Sequence, residues 1–504
     1  MTILERPALD FLTRPLRLFI GGEWVETEET FDTTDPATGE LLARVPLATT
    51  EHVDAAVKAA RAAFDGGWRN LSAIGRERLM RRLADLIDEN LEELAVLEVL
   101  DNGKPIGEAE AVDIALSAEM MRYYAGWPTK INGDILPNSV PGMMALRARE
   151  PVGVVGAIAP WNFPLLEILY KIAPALAAGC TIVGKPASWT PLTTLRFAEL
   201  VEEAEFPPGV INILTGPGPT IGGAIAAHPG IDKVAFTGQT ETGQEILRSS
   251  VGNLKKVSLE LGGKSPNIVF ADAHIEAALS GAFGGAFFNQ GQACVAGSRL
   301  FVESSIADDF VQELASRAGS VQLGQGLDRS TDMGPLVSVP HRSGVLKHIE
   351  TAYEDGADVV VGGEVATVEG LEGGNFMTPT VIDNVQNSMR VAQEEIFGPV
   401  VSVIRWDDYD ALVEMANDVS YGLSAGIWSS DVSKALKLAD AINTGTVWIN
   451  TYGMFDPAVP FGGHKMSGYG RELGAEALDA YLQSKSIWLD LESAVPKSGQ
   501  AVAR

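Results

Sequence analysis

The chain has 504 residues, of which 46% are hydrophobic and 21% charged, a composition typical of a globular protein with large cores. Its formal net charge of −28 argues against nucleic acid or an anionic membrane surface as a partner. Its two cysteines, Cys180 and Cys294, make no disulfide framework, so a reducing, cytoplasmic environment is expected.

Targeting, membrane and metal signals are not found in the sequence. Residues 1–15 lack the apolar core of a signal peptide, and no apolar run is long enough to span a bilayer. The six histidines are scattered, without a His-Glu-x-x-His motif or a Cys-x-x-Cys pair. We therefore expect a soluble protein without a metal site.

The first 150 residues are predicted to form short strands followed by helices. Glycine and proline punctuation predicts strands and turns over 18–45. Helices are predicted over 53–64, 74–100 and 108–124, and an alternating strand over 143–150.

From residue 151, apolar strands alternate with helices. The predicted strands are 152–159, 180–184, 210–214, 234–237 and 257–261, and the predicted helices are 170–178, 191–205, 221–228 and 242–249. This alternation predicts a parallel sheet covered on both faces, whose ligand lies beyond the carboxyl ends of the strands. That rule brings 160–162, Lys185, 237–238 and 260–262 to the rim of one crevice.

A second alternation follows Gly263 and predicts a second α/β domain. Its predicted helices are 275–287, 305–318, 341–352, 409–417 and 432–442, and its predicted strands are 298–302, 359–361, 400–405, 425–428 and 446–450. A last alternating strand, 484–491, is expected to pair with 143–150. Because both strands lie outside the two sheets, the pairing is expected to cross a subunit boundary.

The crevice carries two weak signals for a phosphorylated ligand. Lys185 ends a buried strand and is either a snorkelling structural residue or a donor to ribose or phosphate oxygens. Residues 236–243 form a strand, a glycine turn and a helix start, where backbone N–H groups favour a phosphate. Their spacing fits neither Gly-x-Gly-x-x-Gly nor a P-loop.

Three residues at the crevice could form and hydrolyse a thioester. Asn162 is either a turn residue or a neutral, fixed donor to an oxyanion. Glu260 ends an apolar strand, where a carboxylate is costly unless it is paired, protonated or used as a general base. Cys294 is either a small buried residue or a nucleophile.

Seven motifs in order make the chain resemble the NAD(P)-dependent aldehyde dehydrogenase superfamily over about 18–491. They are PWNFP (160–164), GKPA (184–187), FTG (236–238), LELGGK (259–264), FNQGQAC (288–294), EEIFGP (394–399) and PFGG (460–463). The resemblance implies an α/β fold with two Rossmann-like parallel-sheet domains and a β oligomerisation arm. It assigns 1–129 and 151–262 to a cofactor-binding domain, 263–480 to a catalytic domain, 130–150 and 481–495 to oligomerisation strands and 496–504 to a tail.

The resemblance also implies catalytic roles. Cys294 attacks the aldehyde carbon, while Asn162 and the Cys294 backbone N–H hold the oxyanion of the thiohemiacetal. Hydride passes to the nicotinamide, and Glu260 activates the water that hydrolyses the thioester. Lys171 and Glu472 match a pair linked to proton release, with a surface ion pair as the alternative.

Cofactor and substrate residues follow from the same motifs. The implied cofactor residues are Ile158, Pro160, Trp161, Lys185, Ser188, Phe236, Thr237, Gly238, Gln239, Leu261, Glu395 and Phe397. The implied tunnel residues are Trp161, Phe163, Leu166, Glu167, Tyr170, Phe288, Phe455 and Phe461. Aromatic side chains favour an apolar or aromatic aldehyde, and segments 293–299 and 455–460 are similar to those of phenylacetaldehyde dehydrogenases.

Two residues depart from the family pattern. Ser188 stands where NAD-preferring relatives have an acidic residue that repels a 2′-phosphate, so both NAD+ and NADP+ are expected to bind. Gln239 replaces a commoner serine at the phosphate turn.

Two other functions remain open, a coenzyme A-acylating aldehyde dehydrogenase and a non-catalytic dinucleotide-binding or structural relative. A homo-oligomer, dimer or tetramer, is the expected assembly.

Overall fold

The structure is a computed structural model that describes residues 6–491. The predicted tail 496–504 and the last part of the predicted arm, 492–495, lie outside these residues. An eight-stranded and a seven-stranded sheet dominate the fold, accompanied by a three-stranded sheet and two strand pairs. The predicted α/β class is confirmed.

The elements up to residue 151 combine helices with strands, and the first two strands join the eight-stranded sheet. They are α1 (Arg6–Leu12), β1 (Leu18–Ile20), β2 (Glu23–Val25), β3 (Thr30–Thr34), β4 (Leu41–Pro46), α2 (Thr50–Ala63), α3 (Ala73–Glu89), α4 (Leu91–Asn102), α5 (Ile106–Glu108), α6 (Ala115–Ala125), β5 (Asp134–Leu136) and β6 (Met143–Pro151). The single helix predicted over 74–100 is wrong, because the chain breaks at Asn90, whose φ of −111° and ψ of 19° leave the helical region. The Asn90 side chain caps the first half by donating to the Leu86 carbonyl at 2.8 Å.

The middle of the chain alternates as predicted. Its elements are β7 (Val154–Ile158), α7 (Pro164–Ala178), β8 (Thr181–Lys185), α8 (Leu192–Glu203), β9 (Ile211–Ile213), α9 (Gly223–Ala227), β10 (Lys233–Thr237), α10 (Thr240–Ser249) and β11 (Lys256–Glu260). Helix α7 begins six residues before the predicted start, since Pro164 occupies its first turn, where a missing N–H costs nothing.

The last part of the chain builds the second large sheet and returns to the first. Its elements are β12 (Pro266–Val269), α11 (Ile275–Phe287), β13 (Arg299–Glu303), α12 (Ser304–Gly319), α13 (Val339–Glu354), β14 (Asp358–Val361), β15 (Thr380–Asp383), α14 (Arg390–Gln393), β16 (Val400–Trp406), α15 (Tyr409–Asn417), β17 (Tyr421–Gly422), β18 (Ser424–Trp428), α16 (Val432–Ala441), β19 (Thr446–Ile449), β20 (His464–Lys465), β21 (Gly468–Tyr469), α17 (Ala477–Tyr481) and β22 (Leu482–Asp490).

The eight-stranded sheet has the order β2-β1-β9-β8-β7-β10-β11-β21. Its five central strands are parallel, whereas β1, β2 and β21 add antiparallel edges. The sheet is therefore mixed, and its parallel centre places the ends of β7, β8, β10 and β11 along one rim. Strand β21 belongs to this sheet although it follows the whole second sheet in sequence.

The seven-stranded sheet has the order β14-β15-β16-β13-β12-β18-β19 and is parallel except for β14. Strands β12 and β15 were not predicted. The polar Asn267 interrupts the apolar run of β12, but its Oδ1 accepts a hydrogen bond from the Trp428 indole at 2.8 Å. The partner Trp428 lies on β18, 161 residues later in the chain, so the local sequence pattern did not reveal this hydrogen bond.

The three-stranded sheet has the order β22-β6-β5. Strands β22 and β6 pair antiparallel over nine residues, from Leu482 opposite Pro151 to Asp490 opposite Met143. The predicted partners are therefore correct. The prediction that this pairing crosses a subunit boundary is wrong, since both strands belong to one chain.

In the described residues, no helix combines the length and apolarity that a membrane crossing requires. Over 6–491, no three His, Cys, Asp or Glu side chains are grouped so that they could hold a metal ion.

The central strand of the seven-stranded sheet carries a fully buried aromatic side chain. Phe301, on β13, is fully buried, so Phe301→Ala removes a large side chain and leaves a cavity. We expect a loss of about 3–5 kcal/mol in the free energy of unfolding, measured by urea denaturation. Val360→Ala, on edge strand β14 and half-exposed, is the control and should change it by less than about 0.5 kcal/mol. Equal effects of the two substitutions would contradict this account of the core.

Candidate functional site

Two cavities meet at one cysteine. We call them the cleft, of about 360 Å³, and the tunnel, of about 380 Å³. Cys294 and Glu167 are the two residues that line both. The cleft opens along the rim of the eight-stranded sheet, and the tunnel runs between α7 and the segments 284–296 and 452–455. A molecule in the cleft and a molecule in the tunnel would therefore reach Cys294 from different sides.

The loop that carries Cys294 is held in a conformation that side chains rarely adopt. Asn289, Gln290 and Gly291 have φ angles of 47°, 57° and 69°, in the left-handed region. Only glycine fits at 291, because a Cβ there would lie 2.1 Å from the Gly398 carbonyl oxygen. Gln290 donates to the Pro335 carbonyl at 2.9 Å. These constraints fix the turn that presents Cys294.

Asn162 joins this loop to the end of β7. Its side-chain amide donates to the Gln292 carbonyl at 3.0 Å, and its own carbonyl accepts from the Asn289 amide at 2.9 Å. The amide has a second N–H, and Asn162 lines the cleft beside Cys294. The geometry thus provides a fixed, neutral donor next to the sulfur.

A buried cation supports Asn162 from behind. The Lys104 ammonium donates to the Asn162 carbonyl at 2.9 Å and to Asp113 Oδ1 at 2.6 Å, and the Lys104 and Asp113 side chains are fully buried. The ammonium also lies 4.2 Å from the centre of the Phe163 ring. Burial raises the pKa of Glu98 beside this pair, and the charge of Asp113 raises it further.

Glu260 ends β11 and is buried, with 4% of its surface exposed. Neither of its carboxylate oxygens has a hydrogen-bond partner among the described residues. Burial, reinforced by the charge of Glu472, raises its pKa well above the ordinary value. Glu260 lies outside the lining of both cavities, next to Gly462, where a Cβ would come within 2.7 Å of Oε1.

Lys171 links two acidic residues. Its ammonium lies 2.8 Å from Glu472 Oε1 and 3.4 Å from Glu167 Oε2. All three side chains are buried, so the alternative of a surface ion pair is wrong. Burial alone lowers the pKa of Lys171, but the charges of Glu472 and Glu167 hold it above its ordinary value. Burial raises the pKa of Glu167 to about 7, although Lys171 opposes this shift.

The two cysteines lie in different environments. Cys294 is half-buried, and its pKa is raised well above the ordinary value by burial and then by the charge of Glu167. Its thiol is therefore protonated at neutral pH in the absence of a base. Cys180 is fully buried, donates to the Tyr481 carbonyl at 3.4 Å and lies on neither cavity.

Most, but not all, of the predicted cofactor residues line the cleft. Those that do are Pro160, Trp161, Thr237, Gly238, Gln239, Leu261, Glu395 and Phe397. Ile158, Lys185, Ser188 and Phe236 lie outside its lining. Phe236 packs directly beneath Gly238, where a Cβ would come within 2.6 Å of the ring.

The cleft has features that suit a dinucleotide. Gln239 and Gly238 precede α10, whose first N–H groups favour an anion. The buried Thr237 hydroxyl has no hydrogen-bond partner among the described residues. Glu395 Oε1 accepts from the Gly263 N–H at 2.9 Å, and burial raises the Glu395 pKa to about 7.

Lys185 and Ser188 lie outside the cleft lining, and in the part of the chain that the structure describes neither bonds to an acidic side chain. The Lys185 ammonium donates to the Pro186 carbonyl at 2.9 Å, and burial lowers its pKa to about 8. The Ser188 hydroxyl donates to the Gly216 carbonyl at 2.7 Å.

One wall of the cleft was not predicted. Helix α13 contributes Pro340, His341, Gly344, Val345 and His348, and Trp189 and Ile396 add to them. The His341 ring lies 5.0 Å from Trp161, and burial lowers its pKa to about 4, so it is neutral. Ile396 lies within the motif at 394–399, whereas no motif marks the α13 residues, because they reach the cleft only when the second sheet packs against the first.

The tunnel is lined largely by apolar and aromatic side chains. Of the predicted residues, Phe163, Leu166, Glu167, Tyr170, Phe288, Phe455 and Phe461 line it, whereas Trp161 lies in the cleft alone. Phe163 stacks on Phe288 with centroids 6.1 Å apart, and Phe455 meets Phe461 edge-on at 5.2 Å. The unpredicted lining residues are Val112, Leu116, Gly284, Gly285, Ala293, Val295, Ala296, Tyr452, Gly453 and Met454.

Comparison with known proteins is consistent over nearly the whole chain. Residues 24–487 match the model of the aldehyde dehydrogenase family. The chain is 50% identical to a putative aldehyde dehydrogenase, DhaS, of Bacillus subtilis (strain 168), with 96% of this chain and 97% of the relative covered. It is 46% identical to a phenylacetaldehyde dehydrogenase of Pseudomonas fluorescens, with 95% and 97% covered.

Solved structures agree with these matches. The NAD+ complex of an aldehyde dehydrogenase from Bacillus cereus has a TM-score of 0.94 at 48% identity, with 96% of this chain and 98% of that chain covered. A betaine aldehyde dehydrogenase from Staphylococcus aureus, in complex with NAD+, has a TM-score of 0.96 at 41% identity, with 99% and 100% covered.

The buried pair behind Asn162 can be tested by removing its cation. Lys104→Met leaves Asp113 buried without its counterion, so we expect a loss of about 3–5 kcal/mol in the free energy of unfolding, measured by urea denaturation. Arg329→Met, which breaks the exposed pair with Glu110, is the matched control and should cost about 1 kcal/mol or less. A Lys104→Met protein as stable as the control would show that the buried pair does not hold this region.

Proposed function

The chain belongs to the aldehyde dehydrogenase family and is an NAD(P)-dependent, aldehyde-oxidising enzyme, and we propose that it converts an aldehyde to a free carboxylic acid through a thioester on Cys294. The meeting of the cleft and the tunnel at Cys294 is the observation that carries this proposal. The cleft suits the dinucleotide, and the tunnel suits the aldehyde.

The cofactor is proposed to bind in the cleft. The phosphates would lie against Gly238 and Gln239 at the start of α10, Glu395 would bind the nicotinamide ribose, and Lys185 the adenine-side ribose. When bound, the dinucleotide supplies the hydride acceptor. Glu395 accepts the Gly263 N–H at present, so it is already oriented by the backbone that follows β11.

Cys294 and Asn162 are proposed to form the thiohemiacetal. The Cys294 sulfur donates an electron pair to the aldehyde carbon, and the carbonyl pair moves to oxygen. The second N–H of the Asn162 amide and the backbone N–H of Cys294 stabilise this oxyanion. The hydrogen bond from Asn162 to Gln292 supports this role, since it fixes the donor before the charge develops.

Glu260 is proposed to activate the water that hydrolyses the thioester. Its raised pKa and unpartnered oxygens suit a general base. Because it lies outside both cavity linings, its side chain has to turn towards the sulfur for this step. Lys171 and Glu472 are proposed to carry the released proton away, as a buried pair behind Glu260.

The substrate is proposed to be a medium-size apolar or aromatic aldehyde. The stacked and edge-on aromatic rings of the tunnel favour such a side chain. Similarity to a phenylacetaldehyde dehydrogenase supports this class. Because the chain is also similar to betaine aldehyde dehydrogenases, a cationic aldehyde should be among the substrates tested.

The organisation of the molecule is proposed as follows. Within the described residues 6–491, the parts of 1–129 and 151–262 form the cofactor-binding domain, 263–480 the catalytic domain, and 130–150 with 481–491 the oligomerisation strands. A cytoplasmic homo-oligomer is the proposed state. Half-exposed Ile487, Trp488 and Leu489 on β22 support a role of this strand in assembly.

Initial rates over a panel of aldehydes test the reaction. We expect NAD(P)H and the free acid to form without coenzyme A, and Cys294→Ala to abolish both, because the nucleophile is lost. Asn162→Ala should lower kcat about 100- to 1000-fold through loss of one oxyanion donor. Cys180→Ala is the matched control and should keep the activity. Product formation only with coenzyme A, or cofactor binding without turnover of any aldehyde, would contradict the proposal.

Cofactor choice is predicted to depend on Ser188. A carboxylate there would repel a 2′-phosphate, so Ser188→Glu should lower kcat/KM for NADP+ by about 10- to 100-fold and leave NAD+ little affected. Initial rates with each cofactor measure the ratio. Ser320→Glu adds the same charge at the exposed end of α12, outside the cleft lining, and should leave the ratio unchanged. An unaltered ratio in Ser188→Glu would exclude this residue as the determinant.

A further inference from the structure

A second buried carboxylate stands where the two cavities join. Glu167 lies in the first turn of α7, has 6% of its surface exposed, and lines both the cleft and the tunnel. Among residues 6–491, the other residue on both linings is Cys294. Glu260, in contrast, lines neither. The carboxylate that shares space with the sulfur is therefore Glu167.

We propose that Glu167 accepts the proton of the Cys294 thiol, which leaves Glu260 to activate water. In this step the Sγ–H bond breaks and the proton binds to a carboxylate oxygen of Glu167, which becomes a neutral acid. The sulfur keeps the electron pair and uses it to form the C–S bond with the aldehyde carbon. The inference rests on the proposed aldehyde oxidation and divides its two proton transfers between two carboxylates.

The transfer leaves the total charge unchanged where the cleft and the tunnel meet, and this favours it over release of the proton to bulk water. An ionised Glu167 opposes loss of the thiol proton to bulk water, because two negative charges would then share a buried space. Transfer to Glu167 moves the negative charge from oxygen to sulfur without adding a second one. The burial that disfavours the isolated thiolate therefore does not oppose the paired transfer.

The groups that face Glu167 keep it able to accept a proton. Lys171, one turn further along α7, stabilises the ionised form of Glu167, whereas the charges of Glu472 and Glu260 destabilise it. The Thr237 hydroxyl, the Tyr170 phenol and the Cys294 thiol also lie near it. Burial, the largest influence, raises the Glu167 pKa to about 7, which suits a base at neutral pH.

Alkylation of the cofactor-free protein with neutral iodoacetamide separates this role from a structural one. With Glu167 as the base, the rate at Cys294 should rise through about pH 7, and Glu167→Gln should lower the rate at pH 7.5 about tenfold or more. If Glu167 is only a nearby charge, its removal lowers the pKa of the thiol and Glu167→Gln reacts faster. A faster or unchanged rate would therefore overturn the proposal.

Glu260→Gln is the matched control. Its alkylation rate should stay within about threefold of the wild type, whereas its steady-state turnover falls because deacylation needs that base. A slow alkylation in Glu260→Gln and a normal one in Glu167→Gln would assign the thiol proton to Glu260 instead. Mass spectrometry of the two cysteine peptides shows which sulfur reacts.

The pH profile of the wild-type protein keeps the outcome decisive. If Glu167→Gln does not fold, the pH profile of the wild-type protein remains: an inflection near 7 supports the transfer, and one only above about 9 overturns it. Alkylation needs neither aldehyde nor cofactor. Failure of the proposed oxidation, seen as absent turnover, is therefore distinguishable from failure of Glu167 as the base, seen in the alkylation rate.

Discussion

The buried contacts between Asn162 and the loop 288–294 hold the two halves of the site together. Asn162 follows a strand of the first sheet, whereas Gln292 and Asn289 precede the second strand of the other sheet. Hydrogen bonds in both directions fix the distance between them, and Lys104 anchors the same backbone from behind. Because an unpaired buried amide or ammonium costs free energy, each partner enforces the position of the others. The place where cleft and tunnel meet depends on this network.

Acidic groups outnumber cations around the sulfur. Glu167, Glu260 and Glu472 are buried and Glu395 is partly buried, and among the described residues Lys171 is the cation that contacts two of them. Burial raises the pKa of Glu167, Glu260 and Glu395, so each binds a proton at a higher pH than a carboxylate on the surface does. Such groups exchange protons near the working pH, which is what an acyl-transfer cycle with two proton movements needs. Burial of these carboxylates costs free energy, and the same burial raises their pKa values into the range that the proposed proton transfers need.

The correctly predicted part of the fold followed from the spacing of apolar residues and from the glycine and proline residues that end elements. The alternation after residue 151 predicted the strands of the parallel centre, and the glycine and proline signals marked their ends. The errors arose where tertiary contacts overrule local pattern. Asn90 breaks a continuous helical pattern, and Asn267 sits in a central strand because Trp428 pairs with it. The late strand β21 joins the first sheet through contacts that no local window contains.

For the site, the sequence by itself determined the reactive residue types and their motifs, Cys294, Glu260 and Asn162, because each motif is local and its chemistry belongs to the side chain. It also placed Glu167 among the tunnel residues. Only the tertiary structure decided that Glu167 shares both cavities with Cys294, that Glu260 lies outside them, and that the pair Lys171–Glu472 is buried. It also decided that α13 forms a wall of the cleft. Burial and proximity between distant segments arise when the two sheets pack together, and they set the pKa values and the contacts that no spacing along the chain records.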